Sequence, residues 1–203
     1  MNEPQEARSW IAELRTRLAT PAATRLPHDD ARQAAVLVPL YVDAGELWTL
    51  LTRRAETLPH HKGQIAFPGG GLEAGEEAWD GALREAQEEV GIDSSRVLRL
   101  GALDEARTPS GYRIVPCVGA VAYPLETEIN HDEIEEVFAV PISAFANPTA
   151  VEERVVAIDG LDRMLRVYHV GGRTVWGLTA RIIQQLLIRL GLESPDPGPA
   201  GAV

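Results

Sequence analysis

The chain has 203 residues, 45% hydrophobic and 24% charged, which is enough for one ordinary globular domain with its own core. Nineteen basic residues stand against 30 acidic ones, and the net charge of −11 speaks against a sequence-independent grip on nucleic acid. The single cysteine, Cys117, has no internal disulfide partner, and no apolar run reaches the roughly 18 residues that span a bilayer, so a reducing, cytoplasmic setting away from membranes is expected.

In chain order, "MNEPQEARSW" has neither a basic n-region nor an apolar h-region, so no leader is expected there. Trp10, Ile11, Leu14 and Leu18 have helical spacing, and Pro21 and Pro27 bracket a linker; residues 1–30 therefore read as a helix and linker ahead of the main domain. "AAVLVPLYV" and "LWTLLTR" read as strands joined by the turn "DAGE". Glu76 to Val90 has helical periodicity and stops at Gly91. "RVLRLGAL" and "YRIVPCVGAVAY" are strands separated by "TPSG", and Cys117 reads as a small core residue of the second. "EVFAVPISAFANP" reads as a strand running into a short helix. "VEERVVAI" and "MLRVYHV" form a hairpin across "DGLD", with "GGRTVWG" beyond it. "LTARIIQQLLIRLG" is an amphipathic helix with Thr179 as its expected N-cap. The domain thus covers residues 31–191, and the proline- and glycine-rich residues 192–203 are expected to be a disordered tail. Strands mixed with few helices argue for an α/β or α+β layered fold.

Placed on a helix at about 100° per residue, Glu85, Glu88 and Glu89 share an arc of roughly 100°. Ala78 and Ala82 lie on the same stripe, while Trp79, Leu83, Ala86 and Val90 gather on the side expected to face the core. Like charges at these spacings are mildly destabilising, and glutamates near a helix C-terminus oppose the macrodipole. Nothing structural rewards the arrangement unless a cation sits in it. The preceding glycines let backbone approach a ligand or ion closely, and Glu76 is placed to pair with Arg84 and fix that loop on the helix.

Gly70, Glu76 and Arg84-Glu85-Ala86-Gln87-Glu88-Glu89-Val90-Gly91-Ile92 together resemble a complete Nudix box. The resemblance implies the Nudix fold, an α/β/α sandwich around a mixed sheet. It also implies hydrolysis of nucleoside diphosphates linked to another moiety, assisted by a divalent metal. Hard carboxylate oxygens suit Mg²⁺ or Mn²⁺, which offset the repulsion between the acids and an anionic pyrophosphate. Carried over residue by residue, Glu85 and Glu89 are metal ligands, Glu88 is a further ligand or the base, and the Gly70 carbonyl completes the metal shell. "NHDEIEEVF" resembles the stretch from which relatives supply a distal carboxylate. Glu133 is the candidate there, with a solvated loop acid as the alternative.

The segment ahead of the box, "LLTRRAETLPHHKGQIAFPGG", is similar to the signature of the coenzyme A pyrophosphatase branch of the family, with Pro59 where that signature has an arginine. This implies cleavage of coenzyme A or a derivative to 4′-phosphopantetheine and 3′,5′-ADP. Arg53, Arg54, His60, His61 and Lys62 are the cations available for its 3′-phosphate, and strand alternation lets only one of the two arginines face the ligand. "VWGLTA" also resembles this branch and reads mainly as packing. Two alternatives stand beside this reading: hydrolysis of another substrate such as ADP-ribose, NADH or a nucleoside triphosphate, and a Nudix domain kept only for binding. A small-molecule, coenzyme A-like substrate is expected, and the chain is expected to be a monomer or a homodimer.

Overall fold

A computed structural model describes residues 3–27, 29–57, 62–158 and 161–193. In chain order the elements are α1 (Glu3–Ala19), β1 (Arg32–Asp43), β2 (Glu46–Arg54), β3 (Ile65–Ala66), β4 (Gly69–Gly71) and α2 (Ala78–Val90). There follow β5 (Val97–Ala102), β6 (Ala106–Arg107), β7 (Tyr112–Val121), β8 (Ile134–Pro141) and α3 (Ile142–Ala146). The chain continues with β9 (Val151–Ile158), β10 (Leu161–Val170), β11 (Arg173–Val175) and α4 (Gly177–Leu190). Among the described residues no helix is long and apolar enough to cross a membrane.

β1 is the spine of the mixed sheet. Its apolar run is buried on both faces, as a central strand requires. Alternation sends Ala35 and Leu37 toward α2, where they meet Ala82, Ala86, Val90 and Cys117. Val38 and Leu40 go to the opposite face and pack with Leu14 and Leu18 of α1, Phe145 of α3 and Ile182, Ile183 and Leu186 of α4. Each such fully buried aliphatic side chain stabilises the fold by about 1.5–3 kcal/mol before entropy is counted. The result is the α/β/α sandwich expected from the sequence. Burial also pushes the Cys117 thiol up to about 12, so it is inert packing.

The sheet forks next to β1. β7 runs parallel to β1 on one side, from Arg32 opposite Tyr112 to Leu40 opposite Ala120. On the other side β2 pairs with β1 only from Leu40–Thr49 to Asp43–Glu46, across a turn in which Ala44 and Gly45 both have positive φ. The two strands then diverge, and residues 64–71 fill the gap. β3 pairs with β2 (Thr52 opposite Ala66), and β4 pairs with β1 (Val36 opposite Gly69, Ala35 opposite Gly70). The Leu37 N–H donates to the Pro68 carbonyl at 2.8 Å, and the Arg54 N–H to the Gln64 carbonyl at 3.0 Å.

Three local expectations need correction. α2 starts at Ala78, two residues later than its periodicity suggests. Its buried face is centred nearer the acids than the wheel predicts: Ala82 is fully buried against β1, while Trp79 and Leu83 are only partly covered. Thr179 is not the cap of α4, whose N-cap is Trp176; the Thr179 hydroxyl instead donates to the Ile65 carbonyl at 2.9 Å and ties α4 to the fork. Of the tail, Leu192 donates its N–H to the Leu187 carbonyl and Glu193 pairs with Arg166; residues 194–203 lie outside the described residues.

Gly69 is the tightest point of the fork. Its φ is +154°, and a Cβ there would fall 2.3 Å from the Ala35 carbonyl oxygen and 2.6 Å from the Val36 Cα. Because these are backbone atoms of the central strand, Gly69→Ala should lower the free energy of unfolding by roughly 2–4 kcal/mol. Urea denaturation followed by circular dichroism measures this, and a loss below about 0.5 kcal/mol would show that the two strands can separate freely.

Candidate active site

α2 lies over the fork and directs its carboxylates into it. Glu89 is only 3% exposed. Its Oε2 accepts the Gly69 N–H at 3.0 Å, and its Oε1 faces Arg54 Nη1 at 3.3 Å. One turn earlier Glu85 lies against Gly70, so closely that a Cβ on Gly70 would be 2.5–2.6 Å from the carboxylate atoms. A Cβ there would displace the end of the Glu85 side chain, so glycine leaves the acid its place against the strand. The run of glycines thus has two uses: Gly69 fits against the sheet and Gly70 against an acid.

Arg84 organises the outer edge. Its Nε and Nη2 bind Glu76 at 2.9 and 3.0 Å, Nη2 also reaches the Gly71 carbonyl at 3.0 Å, and Nη1 reaches Glu85 at 2.9 Å and Glu88 at 3.1 Å. Glu76 also accepts the Glu73 N–H at 2.9 Å, which closes the turn before the helix. This guanidinium fork therefore joins the glycine strand, the loop and the helix. Glu88 faces outward, into a surface hollow of about 580 Å³ lined also by Asp80, Leu83, Arg84, Gln87 and Ser94.

Glu133 arrives from a distant loop held at three points. The Glu128 N–H donates to the Val90 carbonyl, the Asn130 N–H to the Glu89 carbonyl, and the Ala55 N–H to the Glu133 carbonyl, at 3.0, 3.0 and 2.8 Å. The loop thereby satisfies carbonyls left open at the end of α2, and it brings Glu133 beside the residue that follows Arg54. The sequence did not mark Asn130 or the Gly69 N–H as parts of this site; each meets Glu89 through a backbone N–H, and the Asn130 side chain only closes its own turn by accepting the Asp132 N–H at 3.1 Å.

The cations separate. Arg54 points at Glu89, whereas Arg53 binds Glu135 and Glu136 at 3.3 Å each, outside the cluster. Glu136 is shared with Arg173. Lys62 is exposed, next to Gly63, whose N–H donates to the Arg54 carbonyl at 3.1 Å. Pro59, His60 and His61 lie outside the described residues.

Electrostatically the cluster is short of positive charge. Burial pushes the Glu89 carboxyl up to about 7, and the charges of Glu85 and Glu133 add to the effect against the Gly69 N–H and Arg54. Glu85 is also raised, first by burial, with Arg84 opposing and Glu88 and Glu133 adding. Among the described residues no three His, Cys, Asp or Glu side chains are already gathered for a metal ion; here the acids turn to Arg84, Arg54 and the Gly69 N–H instead. The donor set is nevertheless all oxygen, with Glu89 buried and Glu85 partly so, which fits a hard divalent cation.

A carboxyl raised in the fold favours its protonated form, so its contribution to stability is fully present below the ordinary value of 4.5 and is lost as pH rises through about 7. Glu89→Gln should remove this dependence. With chelator present throughout, the variant should gain on the parent protein between pH 5 and pH 8 by up to about 3 kcal/mol, read from urea unfolding at both pH values. A constant difference across that range would contradict the electrostatic strain assigned to Glu89.

Residues 31–159 match the sequence model of the NUDIX domain. The chain is 39% identical over 180 residues to a protein of Pectobacterium atrosepticum named uncharacterized Nudix hydrolase NudL, covering 87% of this chain and 91% of the relative. A protein of the same name from Photorhabdus laumondii is 36% identical over 173 residues, covering 85% and 92%. Among solved structures, a MutT/nudix family protein from Enterococcus faecalis aligns with a TM-score of 0.53 at 20% identity, over 89% of this chain and 69% of that one, a likeness of fold. RenU, a Nudix hydrolase from M. smegmatis, aligns with a TM-score of 0.50 at 25% identity, over 57% and 74%. With the box on the loop and helix that carry its acids, and with a family match over most of its length, the chain belongs to the Nudix hydrolase family.

Proposed function

We propose that this Nudix hydrolase cleaves the pyrophosphate bond of coenzyme A or one of its derivatives with the help of Mg²⁺ or Mn²⁺, giving 4′-phosphopantetheine and 3′,5′-ADP. The observation that carries the reading is that the segment resembling the coenzyme A signature builds the fork itself, with Arg54 at the edge of the acid cluster. When bound, the divalent cation neutralises the acids and the pyrophosphate and makes a water more acidic. Glu85, Glu89 and the Gly70 carbonyl are the groups that would hold it.

The remaining roles belong to the chain. Glu133 is our candidate for the base that takes the proton of the attacking water, because its loop is tied to the Glu89 and Val90 carbonyls and to Ala55, beside Arg54. Glu88 is engaged by Arg84 on the outward side. Arg84 and Glu76 hold the glycine strand against the helix, so that the acids keep their spacing. Among the described residues the Arg54 side chain meets only Glu89, through Nη1 at 3.3 Å, and its remaining guanidinium N–H groups can meet a phosphate oxygen.

Activity should vanish with excess chelator and return with Mg²⁺ or Mn²⁺, and Glu85→Gln and Glu89→Gln should each lower kcat by about 100-fold or more with the fold retained. Full turnover in EDTA would sink the metal-assisted mechanism. For the substrate, coenzyme A should be preferred over its 3′-dephospho form by about tenfold in kcat/KM, the effect of one charge-assisted hydrogen bond to phosphate. Arg54→Ala also alters the surroundings of Glu89, so the informative quantity is the ratio of the two substrates within that variant, and it should fall toward one. Equal rates on both forms in the parent protein, or faster turnover of ADP-ribose, would transfer the reading to another nucleoside diphosphate derivative.

A further inference from the structure

β9 and β10 form a hairpin that begins in the core and ends in solvent. On one face of this ladder Val151 stands opposite Tyr168, which is fully buried, and Glu153 stands opposite Arg166. Two steps further out on the same face Val155 stands opposite Met164, and these are 64% and 59% exposed. An apolar pair therefore continues the core-facing side beyond anything in its own chain that covers it among the described residues. β9 is also the end strand of its three-stranded sheet, so one side of its backbone is open to pairing. On its other face the half-buried Glu152 and the exposed Arg154 alternate with opposite charge; within the chain Arg154 lies 2.6 Å from Glu152, which His169 also meets at 2.9 Å.

We propose that two copies of this chain associate through β9, strand against strand and antiparallel, about a two-fold axis at Glu153. A two-fold axis normal to the sheet keeps every residue on its own face, so only residues separated by an even number of positions can stand opposite one another. Charge then selects the register. Centred on Glu153, Glu152 meets Arg154 of the second copy twice, and Val151 meets Val155 twice. Glu153 faces its own counterpart at the axis, where Arg166 of each copy, 2.7 Å from its Glu153 and shared with Glu193, is the nearby positive charge. Centred on Arg154, the pairing would set Arg154 against Arg154 and Glu153 against Val155. The first register joins complementary charges and covers the exposed valines, and the pairing extends each three-stranded sheet into one of six strands.

Sedimentation equilibrium of the full chain tests this independently of any activity. The parent protein should sediment as a dimer at concentrations up to about 100 µM, dissociating on dilution. Arg154→Glu, which sets glutamate against Glu152 twice, should raise the dissociation constant about tenfold, as should Val155→Lys. Glu152→Arg combined with Arg154→Glu should restore the parent value to within about threefold, because the exchange preserves the 152–154 pairs within and between copies and gives up only the contact of Glu152 with His169 inside each chain. Circular dichroism verifies that each variant is folded. A parent protein that stays monomeric throughout, leaving the face for a different protein, would overturn the proposal. So would a dimer indifferent to Arg154→Glu and Val155→Lys, or a double variant that fails to recover.

Discussion

The site rests on one constraint: the carboxylate of Glu89 is placed where water hardly reaches. A charge in such a place must be met by dipoles, by cations or by a proton. The fold supplies a backbone N–H from Gly69 and a guanidinium from Arg54, and these are insufficient, since the carboxyl still holds its proton to about neutral pH. The geometry around Glu89 therefore favours a further positive charge. The neighbouring strand suits this place, because Gly69 offers its N–H to the acid while lying tight against β1, and Gly70 leaves room for the Glu85 carboxylate.

That closeness depends on the fork between β1 and β2. A sheet with its two strands paired along their whole length would leave no gap for residues 64–71, and the acids of α2 would meet side chains instead of backbone. The fork also sorts the cations by strand alternation. Arg54 goes to the acid cluster while Arg53 joins a separate network with Glu135, Glu136 and Arg173, so two adjacent identical residues have different surroundings. Arg84 works at a third place, where one planar group spans three glutamates and a carbonyl.

Much of this was legible in the sequence because it depends on local spacing. The acid stripe of α2, the stop at Gly91 and the pairing of Glu76 with Arg84 follow from residues within about two helical turns of one another. The long strands were legible from their apolar runs. β3 and β4 were not, since a two-residue and a three-residue strand are defined by their partners and not by their own pattern. Thr179 was misread for the same reason: a hydroxyl at the start of a helix looks like a cap, yet its acceptor is a carbonyl 114 residues earlier. The rotation of α2 was hidden because a buried glutamate was counted as polar surface.

The loop that delivers Glu133 has a consequence for how such a protein diversifies. Its first part, from Ala122 to Leu125, is fastened less to α2 than the part from Glu128 to Glu133, which is tied to the Val90 and Glu89 carbonyls and to Ala55. Extra residues inserted ahead of Glu128 would lengthen an excursion over the surface and leave the acid in place, since loop closure grows only slowly with length. The same insertion after Asn130 would break the register between the helix end and β8, and the acid would move away from its companions. Length changes are thus cheap on one side of Glu128 and displace Glu133 on the other.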